Sequence, residues 1–377
     1  MQRLAQELER LKNGFRHRSL SLPRGVDFTS NDYLGLASHP ALKRAIIAAL
    51  DRDGAAAGAA GSRLLRGHHP EHAELEAFAA RFFGAEKALY FSTGFLANLA
   101  LFTTLPHRHD AIVLDEFVHA SVKEGVHAGH ARHLKVRHND ANAFEDAIRR
   151  TRADGAHDVW IAVESVYSMD GDLAPIDDLR ALARAHDAIL IVDEAHGSGI
   201  FGATGRGLTE GMYDERLIVL HTCGKALGVA GGLVCGPAVA IDYLINAARP
   251  FIYSTAPPPY QAAAVRRALG LIDEEPWRRQ TLHRQAALAR RSLARHLGTA
   301  ADQRGSQIIP VVLGSEERAL AAAAGLQRHG FDVRAIRPPT VPAGTSRLRL
   351  SIGFERTDAE IAGLADALNA VMAEPVA

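Results

Sequence analysis

From about residue 70 to residue 235 the chain alternates amphipathic stretches of helical period with short, uninterrupted apolar runs. Residues 111–114, 159–163, 189–192 and 217–220 lack the alternating polar positions of a half-exposed strand. They predict strands buried on both faces of a largely parallel sheet, with the amphipathic stretches as its covering helices, which is an α/β architecture. After Gly236-Pro237 the texture changes to Ala/Arg-rich helical segments, followed by the apolar runs 308–313 and 348–352. Each of these can supply a strand of a smaller C-terminal α+β domain. The expected organisation is an N-terminal arm over 1–37, a large α/β domain over 38–238 and a small domain over 239–377. Leu4, Leu8 and Leu11 share one face of a helical period, so the arm should begin as a surface helix.

The four buried runs all end in polar residues: Asp115-Glu116-Phe117-Val118-His119, Glu164-Ser165-Val166-Tyr167-Ser168, Asp193-Glu194-Ala195-His196 and His221-Thr222-Cys223-Gly224-Lys225. Ligands of open α/β sheets bind beyond the carboxyl ends of the strands, so these clusters are expected to converge on one site. The run Pro257-Pro258-Pro259 reads as a rigid break before a helix.

Composition narrows the partners. Lys plus Arg (43) equals Asp plus Glu (43) in 377 residues and no basic block stands out, so the footprint of a nucleic-acid binder is missing. No apolar run approaches the ~20 residues needed to span a bilayer. The N-terminus lacks a signal-peptide core, and Glu7 and Glu9 argue against a transit peptide, which makes the cytoplasm the expected compartment. The two cysteines, Cys223 and Cys235, signal neither a disulfide framework nor a zinc site.

Candidate chemistry gathers at the strand ends. Lys225 sits among small residues just after a buried strand, where desolvation makes an amine nucleophilic. Taken alone it also reads as a lysine reaching out from a loop. Asp193 is placed to hold a pyridinium nitrogen protonated, and His196 to reach a neighbouring oxygen, although a capping aspartate and a surface histidine fit the same letters. Ser92-Thr93-Gly94-Phe95 leads into the helical run 96–102, a turn whose helix N-terminus suits a phosphate group.

Together these residues resemble the fold-type I pyridoxal-phosphate (PLP) enzymes, and specifically the α-oxoamine synthases. The matching motifs run from Asn31-Asp32-Tyr33-Leu34-Gly35-Leu36 to Arg347-Leu348-Arg349. They include Gly61-Ser62-Arg63-Leu64-Leu65-Arg66-Gly67, Ser168-Met169-Asp170-Gly171-Asp172, Asp193-Glu194-Ala195-His196-Gly197-Ser198-Gly199 and Thr222-Cys223-Gly224-Lys225. The resemblance implies PLP as cofactor, carried as a Schiff base on Lys225. It makes Asp193 the partner of the ring nitrogen, His196 that of the phenolic oxygen, and His119 the imidazole stacked on the ring. It places Gly94, Phe95 and Thr222 at the phosphate and Ser168 in the cofactor site. Thr255 becomes the residue lent to a neighbouring subunit's phosphate site, hence a homodimer. Arg349 and Thr340 are implied at the amino-acid substrate and Arg16 at the acyl substrate, and Cys223 stands where relatives carry a larger apolar residue. The implied reaction is decarboxylative condensation of an amino acid with an acyl thioester on coenzyme A or an acyl carrier protein. Residues 335–345 point to L-alanine and a pimeloyl thioester, with glycine- and serine-using relatives as the alternative.

Readings from other classes fare worse. Asp193-Glu194-Ala195-His196 spells the acidic box of some motor ATPases, but the chain's Gly224-Lys225 pair is followed by Ala226 and cannot close a P-loop. His68-His69-Pro70-Glu71-His72 matches the letters of an inverted zinc-protease motif. Pro70 should start the helix there and leave His68 outside it. A scaffold without catalysis stays compatible with the fold, but each motif residue required by the resemblance is present.

Overall fold

The computed structural model describes residues 1–52, 54–212, 214–298 and 305–373. The chain divides into two compact units: residues 34–168 with 173–279, and residues 1–33 with 169–172 and 280–377.

The larger unit is built on a seven-stranded sheet. Its strands, in chain order, are β1 (Lys87–Phe91), β2 (Ala111–Asp115), β3 (Arg132–Val136), β4 (Val159–Glu164), β5 (Ile189–Asp193), β6 (Leu217–Thr222) and β7 (Gly232–Gly236). In space they run β1-β7-β6-β5-β4-β2-β3. The block from β6 to β3 is parallel, whereas β7 is antiparallel to both β6 and β1.

The apolar runs are buried on both faces, as their lack of alternation predicts. Successive residues feed opposite cores. Ile112, Leu114, Trp160, Ala162, Ile191, Ile218 and Leu220 pack on one side with helices Gly94–Thr104 and Ala120–Ala128. Val113, Ile161, Val163, Leu190, Val192 and Val219 pack on the other with helices Ala141–Ala153 and Ile176–Ala185. Burying a side chain of this size contributes about 1.5–3 kcal/mol, so this central slab supplies most of the unit's driving force.

The change of texture near residue 238 does not coincide with the division between units. Ile241, Leu244, Ala248 and Phe251 belong to the first of those cores. The next helix, Pro259–Glu274, packs on Pro40–Leu50 and Pro70–Phe83 through a row of small residues that includes Ala262, Ala264 and Ala268. Composition marks where the strands stop, but packing decides which unit the following helices join. Both prolines act as expected, since Pro70 opens helix Pro70–Phe83 and Pro259 opens helix Pro259–Glu274.

The smaller unit holds a three-stranded antiparallel sheet, Ala335–Ile336, Ser346–Ser351 and Ile308–Gly314 in spatial order. The N-terminal arm joins it by parallel pairing of Val26–Asp27 with Phe331–Asp332. The arm starts with helix Gln2–Asn13, which leaves Leu4, Leu8 and Leu11 exposed. Among the described residues no helix is long and apolar enough to cross a membrane.

Candidate active site

At the carboxyl ends of β4, β5 and β6 the larger unit encloses a cavity of about 190 Å³, lined by Gly94, Phe95, Asn98, His119, Ser121, Glu164, Asp193, Ala195, His196, Leu220, Thr222 and Lys225. Of the residues singled out from sequence, Gly94, Phe95, His119, Asp193, His196, Thr222 and Lys225 meet here. The convergence follows from topology, because parallel strands deliver all their following loops to one edge of the sheet.

Lys225 Nζ lies 3.0 Å from His196 Nε2. The loop carrying Lys225 is set by Gly228, whose N–H donates to the Lys225 carbonyl at 2.8 Å. Gly228 has φ +65°, and a Cβ there would stand 2.2 Å from the Ala37 backbone nitrogen and 2.5 Å from the Leu36 carbonyl carbon. No rotamer relieves a clash with backbone. Gly228→Ala is therefore expected to destabilise the protein by about 2–4 kcal/mol. Urea unfolding measures this, and a change below about 0.5 kcal/mol, the size of an ordinary surface substitution, would contradict it.

Asp193 accepts hydrogen bonds from Asn98 Nδ2 (2.8 Å) and the Ala195 N–H (2.9 Å), and it is buried. Asn98 also donates to Ser121 Oγ at 3.0 Å. The Ser121 N–H in turn donates to His119 Nδ1 at 3.2 Å, and Ser121 Oγ lies 2.8 Å from the same nitrogen. Because Nδ1 accepts from a backbone N–H, the His119 proton sits on Nε2. Burial lowers the His119 pKa, with Lys225 and Lys123 adding to the effect and Asp193 opposing it, so the imidazole is neutral.

Behind this layer Glu194 is fully buried and accepts from Ser165 Oγ (2.5 Å), Thr209 N–H (2.8 Å) and Thr209 Oγ1 (3.0 Å). Burial pushes its carboxyl up to about 7. Its side chain joins Ser165 to Thr209, and its backbone carbonyl accepts from the Gly197 and Ser198 N–H groups of the turn that carries His196. Cys223 and Cys235 are buried, which pushes both thiols up and leaves them unreactive.

The pocket accommodates a phosphorylated pyridine. Thr93 caps helix Gly94–Thr104 by accepting from the Leu96 N–H at 3.1 Å, so the helix N-terminus and its positive dipole end open beside Thr222. A Cβ on Gly94 would lie 3.2 Å from Thr222 Oγ1, so a larger residue would crowd this anion cradle. A buried carboxylate for a ring nitrogen, an imidazole for a ring oxygen and a lysine amine complete the donor set.

The remaining sequence candidates lie elsewhere. Ser168 is buried next to the cavity wall and donates its N–H to Glu164 Oε2 at 3.1 Å, but its side chain does not line the cavity. Thr255 is exposed, in an antiparallel bridge with Ser62. Three belong to the smaller unit. Arg349 is buried and donates to Ser351 Oγ (2.8 Å), Asn31 Oδ1 (3.1 Å) and Tyr33 Oη (3.2 Å). Thr340 Oγ1 accepts from Arg18 Nη2 at 3.3 Å, and Arg16 pairs with Glu316 at 3.0 Å. Sequence reasoning did not single out Asn98, Ser121 or Glu164. Asn98 and Ser121 are small polar residues inside helical stretches, and only the packing of their two helices brings Asn98 to Asp193 and Ser121 to Asn98. Glu164 ends a buried strand just as Asp193 does, and that position was the available signal.

Comparison with known proteins agrees with this geometry. Residues 23–368 match the family described as Aminotransferase class I and II. The chain is 46% identical over 344 residues to the 8-amino-7-oxononanoate synthase of Methylobacterium nodulans, covering 91% of this chain and 86% of that one. It is 43% identical over 346 residues to the synthase of the same description from Methylococcus capsulatus, covering 91% and 88%. Among solved structures it is similar to a serine palmitoyltransferase variant from S. paucimobilis with bound PLP–myriocin aldimine, at TM-score 0.88, 29% identity and coverage of 98% and 96%. It is also similar to 8-amino-7-oxononanoate synthase from Francisella tularensis, at TM-score 0.78, 29% identity and coverage of 92% and 98%. The fold, the strand-end cavity and these matches over nearly the whole length agree: the chain belongs to the class I and II aminotransferase family, in the group formed by the 8-amino-7-oxononanoate synthases.

Proposed function

We propose that this protein condenses L-alanine with a pimeloyl thioester to 8-amino-7-oxononanoate and carbon dioxide, a step of biotin synthesis, using PLP held on Lys225. The observation that carries the reading is the meeting of Lys225, Asp193, His196 and His119 with the Gly94–Thr222 cradle in one cavity. Identity of 43–46% to synthases of this description supports the choice of reaction.

Gly94, Phe95 and Thr222 would hold the phosphate, Asp193 the ring nitrogen and His196 the phenolic oxygen, with His119 against the ring face and Ser168 nearby. When bound, the cofactor supplies an electron sink for the substrate Cα. Lys225 Nζ moves the proton at that carbon, which requires an amine held close and desolvated. Asp193, fixed by Asn98 and the Ala195 N–H, keeps a proton at the ring nitrogen. His119, neutral and protonated on Nε2, donates to the thioester carbonyl oxygen as negative charge builds there. Arg349 is the assigned partner of the alanine carboxylate, for which a guanidinium fork is suited. Thr340 and Arg16 are assigned to substrate contacts, the latter to the acyl chain. Thr255 would serve the phosphate site of a second subunit in a homodimer, and the cytoplasm is the compartment that belongs with this reading.

The test is mass spectrometry of products from purified, PLP-loaded protein given pimeloyl-CoA with L-alanine, glycine or L-serine. The expected product is 8-amino-7-oxononanoate, with L-alanine preferred over glycine by about tenfold or more, the size of a discriminated methyl group. Preference for glycine or serine, or indifference to pimeloyl-CoA, would move the protein to another reaction of the same type, towards the serine palmitoyltransferase it superposes on.

A further inference from the structure

Glu164 and Asp193 are register partners on the parallel strands β4 and β5, so their side chains leave the same face of the sheet, and both line the cavity. Two carboxyl groups placed this way disfavour each other's ionisation. Their surroundings separate them. Asp193 receives two N–H donors, from Asn98 and Ala195. Glu164, 2% exposed, is held by the backbone N–H groups of Ser168, on Oε2, and of His119, and by no charged hydrogen-bond donor among the described residues. A full negative charge buried without a hydrogen-bonded cation is strongly disfavoured, whereas the protonated acid needs only an acceptor for its O–H.

We propose that Glu164 is a positioning residue of this cavity, held as the neutral acid so that Asp193 carries the carboxylate charge and the Glu164 O–H stands as a hydrogen-bond donor on the cavity wall. The role rests on the proposed cofactor, since the charge of Asp193 matters where it supports a ring nitrogen. Burial, reinforced by Asp193, pushes the Glu164 carboxyl up to about 8, with Lys225 and the Ser168 and His119 backbone N–H groups opposing. The other charged or titratable groups around it are the His119 imidazole, His196 from the loop after β5, and Lys123 on helix Ala120–Ala128. As pH rises through that value, a second negative charge forms beside Asp193 and stabilises the ammonium form of Lys225, the form that cannot accept a proton. Turnover should therefore fall on the alkaline side of about pH 8.

Glu164→Gln keeps the shape and a donor but cannot ionise, and Glu164→Asp keeps an ionisable carboxyl but withdraws it by one methylene. Infrared pH-difference spectra of the substrate-free protein should show protonated-carboxyl intensity that disappears as pH is raised through about 8 and that the Glu164→Gln variant, left with the Glu194 contribution near 7, lacks. In kcat/KM profiles the Gln variant should lose the alkaline limb while falling by no more than about tenfold at neutral pH, the scale of one altered neutral hydrogen bond. The proposal is overturned if the wild type and Glu164→Gln show the same protonated-carboxyl intensity at neutral pH. It is also overturned if Glu164→Gln abolishes turnover at every pH while Glu164→Asp retains it, because the carboxylate would then be the working form. Uptake of PLP, followed by its absorbance, separates the two claims: without uptake the cofactor reading fails, while the infrared spectra still decide the state of Glu164.

Discussion

Lys225→Ala is expected to reduce turnover by about 10⁴-fold or more, because one side chain both anchors the cofactor and moves the Cα proton. Alanine removes the amine that stands 3.0 Å from His196 in the cavity, and the described lining of that cavity offers no second lysine. The loop itself should survive, since its shape depends on Gly228 and on backbone hydrogen bonds rather than on the lysine side chain. Intact-protein mass after borohydride reduction in the presence of PLP gives a direct reading: the wild type should gain one reduced adduct and the variant none. An adduct of equal yield on the variant, or activity within about tenfold of wild type, would show that the catalytic amine lies elsewhere.

Asp193→Asn should lower kcat by about 10³-fold, the scale of removing a fixed charge from a water-excluded site. The substitution preserves volume and leaves an oxygen for the Ala195 N–H, and the new amide N–H can donate to Asn98 Oδ1 once that amide turns over, so the fold has little reason to change. What it removes is the negative charge that Asn98 and Ala195 orient. The expected signature is a large fall in kcat with a smaller change in the affinity for PLP, because the phosphate cradle of Gly94 and Thr222 is untouched. Comparable activity in the two proteins would mean that the ring nitrogen needs no ionic partner here.

Much of the site was legible because its signals are local. Lys225, Asp193 and His196 stand just past runs whose unbroken apolar character can be read from a few consecutive residues, and β2, β4, β5 and β6 appear close to the expected positions. The remaining strands were harder. Lys87–Phe91, at one sheet edge, opens on an exposed lysine, and Gly232–Gly236, beside it, is bounded by glycines that read as turns. Arg132–Val136, at the sheet edge, is polar and largely exposed over most of its length. Helices Ala238–Ala247 and Pro259–Glu274 resemble the C-terminal segments in composition yet pack with the larger unit, since composition does not record which surface a helix covers.

The sequence by itself determined the α/β class, the buried strands and the chemical groups at their ends, because burial and residue type are properties of short stretches of chain. Tertiary structure alone decided the strand order, the antiparallel insertion of β7, the docking of Asn98 on Asp193 and the side-by-side placement of Glu164 and Asp193. Those depend on register and packing between segments tens of residues apart, where the free energy comes from surfaces that meet only once the chain has folded.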